Sequence, residues 1–252
     1  MEFQQQLIRA RLLRRYQRFL ADVDIDGEVV TVHCPNPGSM IGLNVPGSIV
    51  WLSRSQNPSR RLAYTLELIQ IYDGGGQFHL VGINTGMPNR LVEEAIRDGG
   101  ITHLAGYSTL RREVRYGLNS RIDLLLEGEN HAPCYVEVKN VHLCRTPGLA
   151  EFPDCVTARG AKHLRELSLM LKSGARAVMI FCVQRSDCAA FSLAQDLDPA
   201  YAEAFAAATA SGVETLIYSC HISAEGIRIS QPLELRAPDQ GRAQQGINRR
   251  ER

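Results

Sequence analysis

The stretch that most constrains this chain runs from Arg121 to Lys139, within SRIDLLLEGENHAPCYVEVKNV. It reads as two short strands joined by a polar turn. Successive strand residues face opposite sides, so Ile122, Leu124, Leu126, Cys134, Val136 and Val138 are expected on one apolar face. A turn centred on Asn130 sets Asp123 directly opposite Glu137, with Lys139 on the same face. Two opposed carboxylates repel, and in a partly dry site they need a shared proton or a shared cation. A divalent metal suits them best, because hard cations take oxygen ligands and combine one or two carboxylates with water and substrate phosphate. Asp123, Glu137 and the Val138 carbonyl are the expected donors of a Mg2+ or Mn2+ site, with Lys139 placed to orient an attacking water and offset charge developing on phosphorus. The competing reading is a half-exposed hairpin with solvated charges. Only three of the 28 basic residues are lysines, Lys139, Lys162 and Lys172. A Glu-x-Lys is therefore less of an accident here, since a compact ammonium is not interchangeable with an arginine fork.

The rest of the chain has room for one large domain or two ordinary ones in its 252 residues, and 44% apolar composition supports real cores. A net charge of +1 does not by itself demand a polyanionic partner, so any such partner must be argued from local clusters. Seven cysteines without a C-x-x-C do not form a disulfide framework, which points to the reducing cytoplasm. A zinc set of His131, Cys134, His142 and Cys144 is conceivable, but its spacing matches no standard ligand pattern. No apolar run approaches a membrane span, and arginines interrupt the N-terminal segment.

Residues 7 to 20, LIRARLLRRYQRFL, carry five arginines and no acid. Arg14, Arg15 and Arg18 with Tyr16 form the combination of phosphate contacts and stacking found on nucleic-acid surfaces. A first strand with solvated arginines is the alternative. Up to Val81 the chain gives short β-rich runs punctuated by turns such as Asp26-Gly27 and Pro46-Gly47, the pattern of a small barrel or sandwich. Trp51 is expected in or near its core. HCPNPGSM, residues 33 to 40, is a turn able to present backbone N–H groups to an anion. Pro88 suits the first turn of a helix with a Leu91, Val92, Ala95 and Ile96 stripe, ended by Gly99-Gly100. Glu93 and Glu94 lie on it, and one of them would reach the metal.

A strand over Leu110 to Tyr116 leads into the hairpin. After Lys139 come a loop through Pro147-Gly148 and a helix opened by Phe152-Pro153-Asp154, from which Arg159, Lys162 and His163 project as possible DNA or phosphate contacts. ARAVMIFCVQ reads as a buried central strand. An Ala-rich helix and two further strands complete an α/β layer, and the tail from Ala237 reads as disordered.

The order acid-bearing helix, Asp strand, Glu-x-Lys strand, helix, strand resembles the PD-(D/E)xK nuclease core. RRYQRFLADV, HCPNPGSM, SRIDLLL, YVEVKNV and FPDCVTARGAKHLREL are similar to the sugar fermentation stimulation protein A family, over roughly residues 7 to 231. The resemblance implies an OB-like β-barrel over 1–82 and a restriction-endonuclease-like α/β domain over 83–236, with a disordered tail over 237–252, the whole being α+β. It selects Glu94 as the helical acid. It further implies a DNA-binding protein, largely non-specific for sequence, with a regulatory role in sugar and notably maltose utilisation; an active metal-dependent DNA nuclease is the alternative. The family usually carries Thr or Ser where this chain has Pro37, which removes a hydroxyl and an N–H from the anion-binding turn.

Overall fold

The computed structural model describes residues 1–72, 75–117 and 119–237. The tail expected to be disordered lies, beyond Ala237, outside the described residues.

The first unit has six strands: β1 (Ile8–Tyr16), β2 (Leu20–Ile25), β3 (Glu28–His33), β4 (Ile49–Arg54), β5 (Tyr64–Tyr72) and β6 (Phe78–Gly82). β1 pairs with both β2 and β4, β4 with β5, and β3 closes onto β5 through a parallel His33–Thr65 contact. The first five strands therefore form a closed barrel of OB type, and β6 extends β5 on the way out. Its interior is filled by Ala10, Leu12, Val23, Val32, Leu52, Leu66 and their neighbours, the inward-facing members of each alternating run. Trp51 is half-buried and packs beneath the barrel, against the second unit's core.

Helix α1 (Pro88–Arg97) follows, and then β7 (Thr109–Tyr116), β8 (Ser120–Gly128) and β9 (His131–Val141). A hairpin of β10 (Leu143–Thr146) and β11 (Leu149–Phe152) turns at Pro147-Gly148, where a loop was expected. Helix α2 (Ala158–Lys172) begins six residues later than Phe152, because Phe152 ends a strand and Thr157 is the residue whose hydroxyl caps the Gly160 amide at 3.1 Å. The remaining elements are β12 (Arg176–Val183), β13 (Ala190–Leu193), α3 (Pro199–Ala210), β14 (Glu214–Ile222), β15 (Ile227–Pro232) and β16 (Glu234–Leu235).

The main sheet has the order β15-β14-β12-β9-β8-β7, with β12 parallel to both neighbours and buried along its length. Both of its faces are covered, as a continuous apolar central strand requires. α1, the barrel's Leu68 and Trp51, and Leu124, Leu126, Cys134, Val136 and Val138 make one core. α2, α3 and a small sheet of order β10-β11-β13-β16 make the other with Ile122, Leu125 and Val141. Ile122 thus departs from the single apolar face expected of the hairpin. Its partner Val114 packs on that second side too, while Leu110 and Leu126 pack on the first. The change of side spans Glu113, whose φ of 54° is a break in regular strand geometry.

Two features join the units. Met1 donates its ammonium to the Ile227 carbonyl at 2.8 Å, and the Phe3 amide donates to Glu225 at 2.8 Å, so the chain's first residues lie on the second unit before the barrel begins. The HCPNPGSM turn holds an anion, and it is an internal one. Asp154 accepts from the Met40 amide at 3.1 Å and the Ser39 hydroxyl at 3.2 Å, and Gly38 is needed there because a Cβ would collide with that carboxylate. No helix among the described residues is long and apolar enough to cross a membrane.

Candidate metal centre

The β8–β9 ladder pairs Leu124 with Val136, Leu125 with Tyr135 and Leu126 with Cys134, the register expected from a turn centred on Asn130. One step further along lie Asp123 and Glu137. Asp123 Oδ2 accepts from the Val138 amide at 2.7 Å, and its Oδ1 accepts from Asn89 Nδ2 of α1 at 2.7 Å. Glu137 is only 2% exposed. Its Oε1 accepts from Lys139 Nζ at 2.6 Å and from His163 Nδ1 of α2. Arg159 Nε donates to His163 Nε2 at 3.3 Å, which leaves the Nδ1 proton for Glu137.

The two carboxylates feel each other. Burial, and then the charge of Glu137, push Asp123 up to about 6. Glu137 is also penalised by burial, but Lys139 and the His163 hydrogen bond outweigh that and hold it below its ordinary value. Tyr116 sits beside them, its phenol raised by burial and then by Glu137, Glu166 and Asp123 in turn. The donors here are all oxygens, and Glu137 Oε2 is buried without a hydrogen-bond partner. Such a set fits a hard divalent cation.

The structure brings Asp123, Glu137 and Lys139 together. It does not bring Glu94 to them. Glu94 Oε2 lies 2.6 Å from the Met1 ammonium, and Asn89 is the α1 residue that reaches Asp123. Glu93 pairs instead with Arg97 and Arg112. His163 is buried against Glu137, so it positions that carboxylate and does not present itself to DNA. Arg159 is exposed but tied to His163, and Lys162 leans 3.7 Å from Glu166.

The N-terminal basic run is largely engaged within the barrel. Arg14 pairs with Asp22 at 2.8 Å and lies over the Tyr16 ring, while Tyr16 donates to Asp22 at 2.9 Å. Arg15 donates to the carbonyls of Arg18, Asn36 and Gly38. Arg18 stays exposed at a left-handed turn residue, with φ 61°. The proposed zinc set does not assemble either. His142 turns to Asp154 at 3.3 Å, and the cluster of metal-binding side chains found among the described residues is Cys144, Asp187 and Cys188. There Asp187 is already held by Arg185 at 2.6 Å.

Glu166 is a buried acid on α2 that reading the chain did not single out. Residues 158–172 give no sign of it beyond its place one turn after His163 on the inward stripe.

The family model for the sugar fermentation stimulation protein RE domain matches residues 86–226, and that for the SfsA N-terminal OB domain matches residues 13–83. This chain belongs to the sugar fermentation stimulation protein family. A homologue from Rhodospirillum centenum is 57% identical over 94% of this chain and 100% of its own length. One from Maricaulis maris is 52% identical over 93% of this chain and 98% of its own. Among solved structures, Pyrococcus furiosus SfsA in complex with Ca2+ superposes with a TM-score of 0.84 at 26% identity, covering 94% of this chain and 98% of that one.

Proposed function

We propose that this family member binds DNA, largely without regard to sequence, and carries a divalent-cation site of the PD-(D/E)xK kind at Asp123 and Glu137. The observation that carries this reading is the pair of acids on adjacent strands, Glu137 buried and Asp123 half-buried, with Lys139 Nζ 2.6 Å from Glu137. The Ca2+ complex of the archaeal relative supports a divalent ion; Mg2+ or Mn2+ is the expected physiological choice for a phosphate ligand. The ion would polarise a phosphoryl oxygen. The protein's own groups do the rest. Asn89 and the Val138 amide orient Asp123, and His163, steadied by Arg159, orients Glu137. Exposed Arg115 on β7 and Arg18 on the barrel add positive charge for the backbone. A role in regulating sugar utilisation, which the family's name suggests, is compatible with a DNA-binding protein. A salt titration of DNA affinity tests the binding: a steep fall with rising salt is expected, and an affinity indifferent to salt overturns it.

Lys139 favours a second reading, in which DNA is also hydrolysed. Its ammonium is held beside the acids, where it would offset charge on a phosphorane-like transition state. Single- and double-stranded DNA incubated with the protein and Mg2+ or Mn2+ should then be cut, and Glu137→Ala and Lys139→Ala should abolish the cutting. Cleavage that persists in both variants sinks this reading.

A further inference from the structure

Two thiols meet beside the small sheet. Cys144 lies on β10 and Cys188 just ahead of β13, and their sulfurs and a carboxylate oxygen of Asp187 all fall within 4.8 Å of one another. The segments that carry them are tied together, because the Gly148 carbonyl at the β10–β11 turn accepts from the Ala189 and Ala190 amides at 2.9 and 3.2 Å. Their exposure differs. Cys144 is half-buried and lines a cavity of about 410 Å³ together with Tyr72, His79, Arg145, Arg185 and Asp187. Cys188 is 7% exposed and stands behind it. In the resting pair Cys144 donates its S–H to the Thr146 carbonyl at 3.1 Å and Cys188 donates to Asp187 Oδ1 at 3.6 Å.

We propose that Cys144 is a site of reversible oxidation by hydroperoxides, and that Cys188 is the thiol that resolves it to a disulfide. The proposal does not depend on the reading of Asp123 and Glu137. Cys144 is the thiol that ionises first: a hydrogen bond from Cys188, and with less effect the Arg185 guanidinium, outweigh its burial and lower its pKa, while the same bond and burial raise that of Cys188. The Cys144 thiolate attacks one oxygen of the peroxide, the O–O bond breaks, and the leaving oxygen takes up a proton and departs as water or an alcohol, which leaves a sulfenic acid. The Cys188 sulfur then displaces that hydroxyl, and its proton leaves with it as water. The thiols lose two electrons and the peroxide gains them. Side-chain rotation has to bring the sulfurs to about 2.0 Å, with the backbone already held by the Gly148 contacts. The other cysteines are placed differently. Cys182 and Cys220 have their sulfurs 3.6 Å apart but are sealed inside the first core. Cys155 is exposed, and burial of its sulfur and the Asp154 charge raise its pKa.

Hydrogen peroxide added to the full-length protein, followed by thiol blocking, proteolysis and mass spectrometry, tests this. Wild type should lose the Cys144 and Cys188 thiols together, yield one peptide crosslinked between them, and regain both with dithiothreitol. Cys188→Ser should stop at the sulfenic acid and be labelled by dimedone at Cys144, and Cys144→Ser should leave Cys188 reduced and unlabelled. Thermal melting of the untreated variants verifies folding; should Cys188→Ser fail to fold, Cys188→Ala removes the same thiol without burying a hydroxyl, and the same label at Cys144 is expected. Oxidation of Cys155 while Cys144 stays reduced overturns the proposal, as does a Cys182–Cys220 disulfide formed in place of the expected one. A sulfenic acid that persists at Cys144 in wild type overturns the role of Cys188. Zinc bound to the purified protein and shielding both thiols from peroxide assigns the pair to a thiophilic metal and overturns the proposal as well.

Discussion

Asp154 and Asp123 are both carboxylates drawn away from solvent, and their surroundings treat them in opposite ways. Asp154 is met by the Met40 amide, the Ser39 hydroxyl and His142. Burial alone would raise its pKa, but His142, and then the Met40 amide and the Cys155 thiol, outweigh that and hold it well below the carboxylate range. Asp123 has two donors as well, yet burial and then the buried Glu137 push it up to about 6. A carboxylate whose charge is answered by the fold is a clamp, here between barrel and α/β unit. One whose charge is aggravated by the fold is, on the reading proposed above, a place for a positive guest.

The sharpest test of this contrast is Asp154→Ala. It leaves His142 and the turn amides facing nothing, and should cost about 3 kcal/mol or more in denaturant unfolding; a loss under about 1 kcal/mol would mean that the clamp is ornamental. Next in size, Mn2+ at a hundredfold excess over its Kd should stabilise wild type by about 2.7 kcal/mol and leave Glu137→Gln unchanged.

The pH dependence separates the two acids by sign. Metal-free Asp123 binds its proton more tightly folded than unfolded, so between its ordinary 3.8 and about 6 stability should fall as pH rises, by at most about 1.4 kcal/mol per pH unit. Asp154 binds its proton less tightly when folded, so its contribution is present above about pH 4 and is lost as pH falls below. Urea unfolding of wild type against Asp123→Asn over pH 4–7 reads the first; an identical slope in both proteins contradicts it. The smallest effect is Asp123→Asn at pH 7 without metal. It should be neutral or stabilising by about 1 kcal/mol, since a disfavoured charge is removed, where the equivalent change at Asp154 destabilises.

What could be read from the chain follows the range of the forces involved. The β8–β9 register was legible because alternation and a short turn fix it locally, and the same holds for the barrel strands and the buried run of β12. Which helical acid turns inward was not. Glu94 and Glu166 both sit on plausible faces, and the choice depends on Met1 arriving at one and on Gly117 and Tyr116 enclosing the other. The basic run misled for a similar reason. Arg14 and Arg15 look available until Asp22 and the carbonyls of the 33–40 turn, remote in sequence from one or both, are folded against them. Ile122 changed sides at the step where Glu113, on the neighbouring strand, leaves regular strand geometry.

The barrel is fastened at both ends, by Met1 to Phe3 upstream and by the passage from β6 into α1 downstream, while Leu68 and Trp51 seal the seam. A molecule fastened so behaves less like two beads on a string than like one solid block. A DNA held as proposed would meet a surface of fixed shape, and the length of its protected footprint would be dictated by the fold.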